Sequence, residues 1–165
     1  MDASEPGSAK PSNSTEVPDG ESSAPVILQI IPMLETGGVE RGTIDITGAI
    51  VEAGGIPLIV SGGGTMVREV ERAGGEHITM PVYSKNPLVM RRNAKALETL
   101  IRERKIDIVH ARSRAPAWCA RGAADRAGAA FMTTFHGAYG ESNHLKHIYN
   151  SIMAKGERVI AISQF

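Results

Sequence analysis

The chain has 165 residues, of which 42% are hydrophobic and 4% aromatic, and its formal net charge is zero. This length corresponds to a single domain whose core is built mostly from aliphatic side chains. The neutral charge differs from the strongly basic composition of nucleic-acid-binding domains, so we expect no nucleic-acid partner.

The first 25 residues are rich in serine, proline, glutamate and glycine and hold almost no bulky apolar side chain. Such a segment buries too little apolar surface to offset the chain entropy lost on folding, so residues 1–25 are predicted to be a disordered tail. The tail carries five of the 18 acids and one of the 18 bases. Residues 26–165 therefore have a mildly positive charge.

Three further features of the sequence indicate the cellular compartment of the protein. Cys119 is the only cysteine, which excludes an intramolecular disulfide and is typical of a cytosolic protein. The residues after Met1 lack the basic and apolar regions of a signal peptide, and no run of 18 apolar residues is present. We therefore expect a cytoplasmic protein.

From Val26 onward, short and nearly continuous apolar runs alternate with segments of helix length. Continuous apolar runs are typical of parallel strands that are covered on both faces, and the spacing is that of βαβ units. The pattern predicts an α/β domain with a Rossmann-like, doubly wound parallel sheet. The six predicted strands are Val26–Ile31, Pro57–Ser61, His77–Met80, Ile106–His110, Ala130–Thr134 and Arg158–Ile162.

Two predicted helices have clear ends. Gly54-Gly55 ends the first helix, because glycine is favoured just after the last helical residue. Asn86-Pro87 begins the third helix with an N-cap followed by proline at the first helical position. Over about 87–104 the apolar residues, such as Leu97 and Ile101, share one side of the helix.

Parallel sheets place ligands at the carboxyl ends of their strands, so the loops there are the candidate site. The loop after the first strand contains Gly37-Gly38 before a helix, an arrangement that suits an anion at a helix N-terminus. Its spacing is not that of the dinucleotide fingerprint. The alternative is a tight turn without a ligand. For Ser61 to Gly64, after the second strand, a flexible turn is favoured over a role in shaping a cleft.

The loops after the fourth and fifth strands are the most polar. His110, Arg112 and Arg114 could receive an acidic acceptor or a phosphate, whereas the alternative is a solvated loop in which Ser113 caps the next helix. His136 ends the fifth strand and precedes a glycine, so a ligand could lie beside its ring. Its alternative is a structural histidine bonded to backbone carbonyls.

Two chemistries have little support. His144 and His147 share a helix face, but no third metal ligand accompanies them, so we expect no metal. The chain contains neither a P-loop nor the Gly-x-Ser-x-Gly motif. The dinucleotide fingerprint is absent as well, so we expect no cofactor.

Four motifs occur in order at strand ends: GGVER at 37–41, DIVHARS at 107–113, TTFHG at 133–137 and RVIAIS at 158–163. Together they resemble glycosyltransferase family 4 over residues 26–165. Asn86-Pro87 with the basic helix that follows is most similar to bacterial enzymes of lipopolysaccharide and cell-envelope glycan assembly. The resemblance implies the N-terminal half of a GT-B glycosyltransferase, which transfers a sugar from a nucleotide-diphosphate donor with retention of configuration and usually without a metal.

The resemblance also implies roles for single residues. His136 matches the catalytic histidine that contacts the donor sugar, and Gly37, Gly38 and Gly137 lie on the donor and phosphate side. Many relatives carry histidine where this chain has arginine in the fourth-strand motif. The acceptor side is implied for Arg41, His110, Arg112, Ser113, Thr134 and Tyr139.

The family's C-terminal donor domain, which grips the diphosphate and the nucleotide, is expected to be missing, because the chain ends at Phe165 after an unextended N-cap at Ser163. The expected partners are a nucleotide sugar, a glycan or lipid-linked acceptor and that C-terminal domain. The 165-residue chain alone is predicted to be inactive. A non-catalytic interaction module, or another nucleotide-binding Rossmann protein, is the alternative.

One further surface is basic. Residues 85–126 contain 11 basic and four acidic side chains. Arg91, Arg92 and Lys95 are candidates for contact with an anionic membrane at its inner face. The alternative is an ordinary solvated helix face.

Overall fold

The structure is a computed structural model that describes residues 23–137 and 143–162. Residues 1–22, which hold most of the predicted tail, as well as Tyr139 and Ser163, lie outside the described residues. Residues 23–25 belong to no helix or strand and are exposed.

Within the described residues, six strands form one sheet in the order β3-β2-β1-β4-β5-β6, and every neighbouring pair is parallel. This is the strand order of a doubly wound Rossmann-like sheet, so the predicted fold class is confirmed. The strands are β1 (Val26–Ile30), β2 (Ile56–Ser61), β3 (Glu76–Thr79), β4 (Ile108–Ala111), β5 (Ala130–Phe135) and β6 (Arg158–Ala161).

Each predicted strand is present, with shifts of one or two residues at its ends. The largest shift is at β4, which begins at Ile108 instead of Ile106. Ile106 is buried, but its N–H donates to the carbonyl of Ile101 and so closes the end of the preceding helix. Ile106 is therefore an apolar residue that packs in the core but does not pair with a neighbouring strand.

In the part of the chain that the structure describes, five helices connect the strands, and a short 3-10 turn spans Ile152–Ala154. The helices are α1 (Gly38–Glu52), α2 (Val67–Arg72), α3 (Pro87–Glu103), α4 (Arg114–Ala127) and α5 (His144–Ser151). The predicted end of α1 is confirmed, since Gly54 adopts a left-handed φ of 79° that glycine tolerates without steric cost.

Helix α3 follows its sequence pattern closely. The Asn86 side chain accepts from the backbone N–H of Leu88 at 2.9 Å, and Pro87 is the first helical residue, as predicted. Leu97 and Ile101 are buried against the sheet. The N-cap and the apolar stripe predict the same helix, so the local sequence specifies α3.

The core has two layers, one on each face of the sheet. Helices α3 and α4 cover one face and bury Leu28, Val60 and Val109. Helices α1 and α2 cover the other face over β1 and β2, where Ile59 is buried. On the α1 face of β4 and β5, the buried polar residues His110 and Thr134 are present.

The loop after β2 is tied to the loop after β1. The N–H of Leu34 donates to the carbonyl of Gly63 at 2.7 Å, and the N–H of Met66 donates to the carbonyl of Leu34 at 2.8 Å. Gly64 has a φ of 139°, and a Cβ there would collide with the backbone of Leu34. The expectation of a flexible turn is therefore wrong, because these glycines hold the two loops in contact.

Candidate functional site

The strand order creates a switch point between β1 and β4. From β1 the chain continues toward β2 and β3, whereas from β4 it continues toward β5 and β6. The loops after β1 and β4 therefore diverge and leave a crevice, which is where open α/β sheets bind ligands. Gly37-Gly38 borders this crevice from one side and Arg112-Ser113 from the other.

A row of polar side chains crosses the sheet beside this crevice. Gln29 on β1 is paired in register with His110 on β4, and Thr134 lies on the adjacent strand β5. Because side chains on one face recur every second residue, Arg112 and His136 continue the row on the α1 face. Gln29, His110, Arg112 and Thr134 are all at least 95% buried. The solvated-loop interpretation of this segment is therefore wrong.

Arg112 packs beneath helix α1. Its Nη1 donates to the Gln29 Oε1 at 2.9 Å, and Gln29 Nε2 in turn donates to the Thr47 hydroxyl oxygen at 3.0 Å and to the Thr43 carbonyl at 3.2 Å. A Cβ on Gly42 would be only 3.0 Å from Arg112 Nη2, so the guanidinium lies against this turn of α1. Burial lowers the pKa of Arg112 to about 10, which leaves it charged at neutral pH.

His110 is a buried and neutral partner in the row. Its Nε2 lies 2.7 Å from the Thr134 hydroxyl oxygen. Burial, aided by the charge of Arg112 and by His136, lowers the pKa of His110 to about 3. The hydrogen bond fixes both side chains, so His110 and Thr134 support the crevice wall, and their acceptor-side role stays a prediction.

His136 lies at the end of the row. Burial lowers its pKa, and the charge of Arg112 lowers it further, so the ring is neutral at physiological pH. Its Nε2 is buried and has no hydrogen-bond partner among residues 23–137 and 143–162. Within the described ranges, no backbone carbonyl satisfies Nε2 as the structural alternative would require, and a buried nitrogen of this kind is suited to completion by a ligand.

The glycine positions of the candidate donor side are open. Gly37, Gly38 and Gly137 are exposed, and a Cβ on Gly38 or Gly137 would meet nothing within 4 Å. Gly37 is the N-cap of α1, and a Cβ there would collide with the carboxylate of Glu40. The acid at this helix start is therefore part of the surface that a ligand would meet.

Two predicted acceptor-side residues lie differently. Arg41 is exposed and pairs with Asp45 at 3.1 Å and with Glu69 at 3.2 Å, which directs it along α1 and toward α2. Ser113 stands at the N-cap of α4, but its side chain makes no cap hydrogen bond. Both roles stay predictions, and the structure brings neither side chain into the polar row.

Sequence reasoning missed Gln29. It lies in the middle of an apolar run and is completely buried, yet it is the residue that holds Arg112 under α1. A lone amide inside a buried strand was the available signal, because such a group must find hydrogen-bond partners.

A second polar pair lies outside the row. The Ser61 hydroxyl oxygen is 2.8 Å from His77 Nε2 and accepts from the N–H of Gly63 at 3.0 Å. Ser61 is completely buried, so this pair braces the loop after β2. Across the described part of the chain, no three His, Cys, Asp or Glu side chains are grouped so as to hold a metal ion.

Comparison with known proteins identifies the family. The sequence model of Glycosyltransferase Family 4 matches residues 36–165. The chain belongs to glycosyltransferase family 4. The four strand-end motifs fall within or next to this match, so the resemblance predicted from them is confirmed.

Solved structures agree with this assignment. A glycosyltransferase from Rickettsia africae is 46% identical, with a TM-score of 0.73, over 85% of this chain and 37% of that protein. MurG from Acinetobacter baumannii has the same fold at 12% identity, with a TM-score of 0.61 over 84% of this chain and 41% of MurG. The calicheamicin glycosyltransferase CalG4 is 20% identical, with a TM-score of 0.53 over 78% of this chain and 35% of CalG4.

The chain thus spans well under half the length of these three proteins, and it corresponds to the N-terminal Rossmann-like domain of a GT-B glycosyltransferase. None of the curated proteins matches it.

Proposed function

We propose that this chain is the acceptor-side module of a retaining glycosyltransferase. The module works with a C-terminal donor domain, and the pair moves a sugar from a nucleotide-diphosphate donor to a glycan or lipid-linked acceptor without a metal. The observation that carries the proposal is the row that ends in His136, whose buried Nε2 has no partner among the described residues and lies next to the open glycine positions. In this proposal a donor sugar supplies that partner.

The crevice supplies position and charge. His136 is neutral, Arg112 is cationic, and the start of α1 presents free N–H groups. Such groups hold a substrate and stabilise charge as it develops in a transition state. Half a cleft provides only one side of that environment, so the second domain is needed for turnover.

The edge strand β6 supports a partner domain. Val159, Ile160 and Ile162 are 45%, 43% and 59% exposed, which is unusual for apolar residues at the edge of a sheet. Exposed apolar patches of this kind mark interaction surfaces. We propose that further polypeptide from the donor half covers this edge.

A domain chimera tests the function. Residues 23–165 replace the matching segment of the Rickettsia africae glycosyltransferase, and transfer is measured with a panel of nucleotide sugars and the native acceptor of that enzyme. We expect sugar transfer by the chimera with retained configuration at the anomeric carbon, and no turnover by the 165-residue chain alone.

The outcomes separate the alternatives. A folded chimera without transfer favours the non-catalytic interaction module. Robust transfer by the isolated chain would refute the need for a donor domain. Binding of NAD by the chain would favour another nucleotide-binding Rossmann protein.

A second proposal concerns the membrane, and a groove on α3 favours it. Ile78, Met80 and Leu100 line a groove of about 820 Å³ whose rim includes Arg91, Arg92 and Lys95. Leu88 beside it is 79% exposed. No carboxylate pairs with these three bases within the described ranges, whereas Arg102 on the same helix pairs with Glu98 at 3.2 Å. The groove is also lined by one acid, Glu103, so its ionisable lining is three bases against one acid. An apolar groove with a net basic rim suits the surface of an anionic leaflet.

We therefore propose a cytoplasmic location at the inner face of the membrane. Within residues 23–137 and 143–162, no helix has the length and apolar character required to cross a bilayer. Contact would be peripheral and electrostatic, and acceptors carried by lipids would then be within reach.

We expect the triple variant Arg91→Gln, Arg92→Gln, Lys95→Gln to bind anionic vesicles on the order of 100-fold more weakly, because each base near such a surface contributes about 1 kcal/mol. Co-sedimentation with phosphatidylglycerol vesicles measures the partition. The matched control replaces the exposed bases Arg68, Arg72 and Lys155 with glutamine and should bind as the parent does. Equal binding of the parent to neutral vesicles would contradict the proposal.

A further inference from the structure

Among the described residues, the guanidinium of Arg112 is a buried cation without a counter-ion. The side chain is 95% buried, and among the described residues no carboxylate pairs with it. Its one hydrogen bond there joins Nη1 to a neutral amide, Gln29 Oε1, while the buried Nε has no partner. An ionised group removed from water is costly unless an opposite charge or enough hydrogen bonds compensate it. The compensation at Arg112 is therefore incomplete.

The surroundings of Arg112 favour an anion and not a second cation. His110 and His136 carry no charge at neutral pH, so neither repels the guanidinium and neither can neutralise it. Helix α1 begins at Gly38, four residues before Gly42, and its N-terminal N–H groups add partial positive charge on the same side. Glu40 is the one acid in the first turn of that helix, and its carboxylate lies against Gly37.

Two features keep the guanidinium in place for a ligand. The bond to Gln29, which is itself held by Thr43 and Thr47, prevents the side chain from swinging away. The missing Cβ at Gly42 leaves space for Nη2, which a methyl group would approach to 3.0 Å. The arginine is therefore positioned before any ligand arrives, and such preorganisation strengthens binding.

We propose that Arg112 is a specificity-determining residue that receives an oxyanion, phosphoryl or carboxylate, of a substrate bound in the crevice between β1 and β4. Guanidinium groups match both oxyanions with paired N–H donors, and Nε is the donor left free to complete such a pair. The inference rests on the proposed function, because it names the charge class of the substrate for the same crevice. The oxyanion comes either from a donor diphosphate or from a charged acceptor sugar, and the probes below distinguish these sources.

The test uses the Nε–H resonance of Arg112 in the ¹⁵N-labelled 165-residue chain. Probes are inorganic pyrophosphate for a diphosphate, glucose 6-phosphate and glucuronate for a charged acceptor, and glucose as the neutral reference. We expect a saturable shift of this resonance with at least one anion and none with glucose. If only pyrophosphate saturates the shift, the oxyanion at Arg112 belongs to the donor diphosphate. If either sugar anion saturates it, the oxyanion belongs to the acceptor.

Variants separate recognition from folding. Arg112→Lys should weaken binding at least about tenfold, measured from the backbone amides around the glycine loop, because the paired donors are lost. Gly42→Ala keeps the charge and favours the helix, but its Cβ displaces Nη2, so it should also weaken binding. The matched control is Arg121→Met, because Arg121 lies on α4 and pairs with Asp125. This variant should bind as the parent does.

Two results would overturn the inference. One is the absence of a saturable shift with any anion up to about 20 mM. The other is equal binding by the parent, Arg112→Lys and Gly42→Ala, which would make Arg112 a structural cation. This test measures anion binding, whereas the chimera measures sugar transfer. If the chimera is inactive but the chain still binds anions through Arg112, only the proposed transfer reaction is contradicted.

Discussion

Replacement of His136 by alanine is expected to lower sugar transfer by at least about 100-fold in the chimera, within the range that a positioned imidazole contributes. The ring is neutral, its Nε2 is buried with no partner in the part of the chain that the structure describes, and it ends the polar row at the carboxyl end of β5. A neutral imidazole there can hydrogen-bond a sugar hydroxyl and balance charge that develops at the donor. Because such charge is greatest in the transition state, kcat should fall more than KM rises.

The measurement is the initial rate of transfer at saturating donor. His136→Gln should recover part of the activity, since its amide reaches a similar position and keeps one hydrogen bond. His144→Gln, an exposed histidine on α5, is the control and should leave the rate unchanged. A rate for His136→Ala within about threefold of the parent would remove the catalytic role.

The second expected result is a loss of stability in acid that depends on His110. Its pKa is lowered to about 3 in the folded chain, against an ordinary value near 6.5 when unfolded. The unfolded state therefore binds the proton more readily. The stability contribution is fully present above about pH 6.5 and is lost as the pH falls toward 3, by about 1.4 kcal/mol per pH unit.

Urea unfolding at pH 7 and pH 4 measures this dependence. His110→Gln cannot gain a proton, so the drop in the free energy of unfolding between these pH values should be smaller by about 3 kcal/mol than in the parent. His144→Gln should behave as the parent does. If His110→Gln and the parent lose the same stability in acid, His110 is not the buried neutral histidine that the structure shows.

Much of the fold was predictable because its signals are local. Apolar runs of strand length identified all six strands, and Asn86-Pro87 placed the start of α3 to the residue. The errors have physical causes as well. The sequence predicts that Ile106 belongs to a strand, because a residue buried in the core and a residue buried in a strand are both apolar. The glycines after β2 predict a flexible turn, whereas in the structure they let the loops after β1 and β2 approach closely.

The candidate site was predictable in part. Its location followed from the rule that parallel strands carry ligands at their carboxyl ends, and that rule led to His110, Arg112 and His136. The sequence could not tell whether these side chains are solvated or buried. Exposure depends on which helix covers each strand, and that information lies in residues distant along the chain.

The sequence by itself determined the fold class, the family and the candidate histidine, because periodicity, caps and short motifs act over a few neighbouring residues. Only the tertiary structure showed that Gln29, Arg112 and His110 form one buried row beneath α1, with partners up to 83 residues apart. It also separated Arg41 from that row by pairing it with Glu69. Burial changes a side chain's charge, its partners and its reach, and burial is a property of the packed chain.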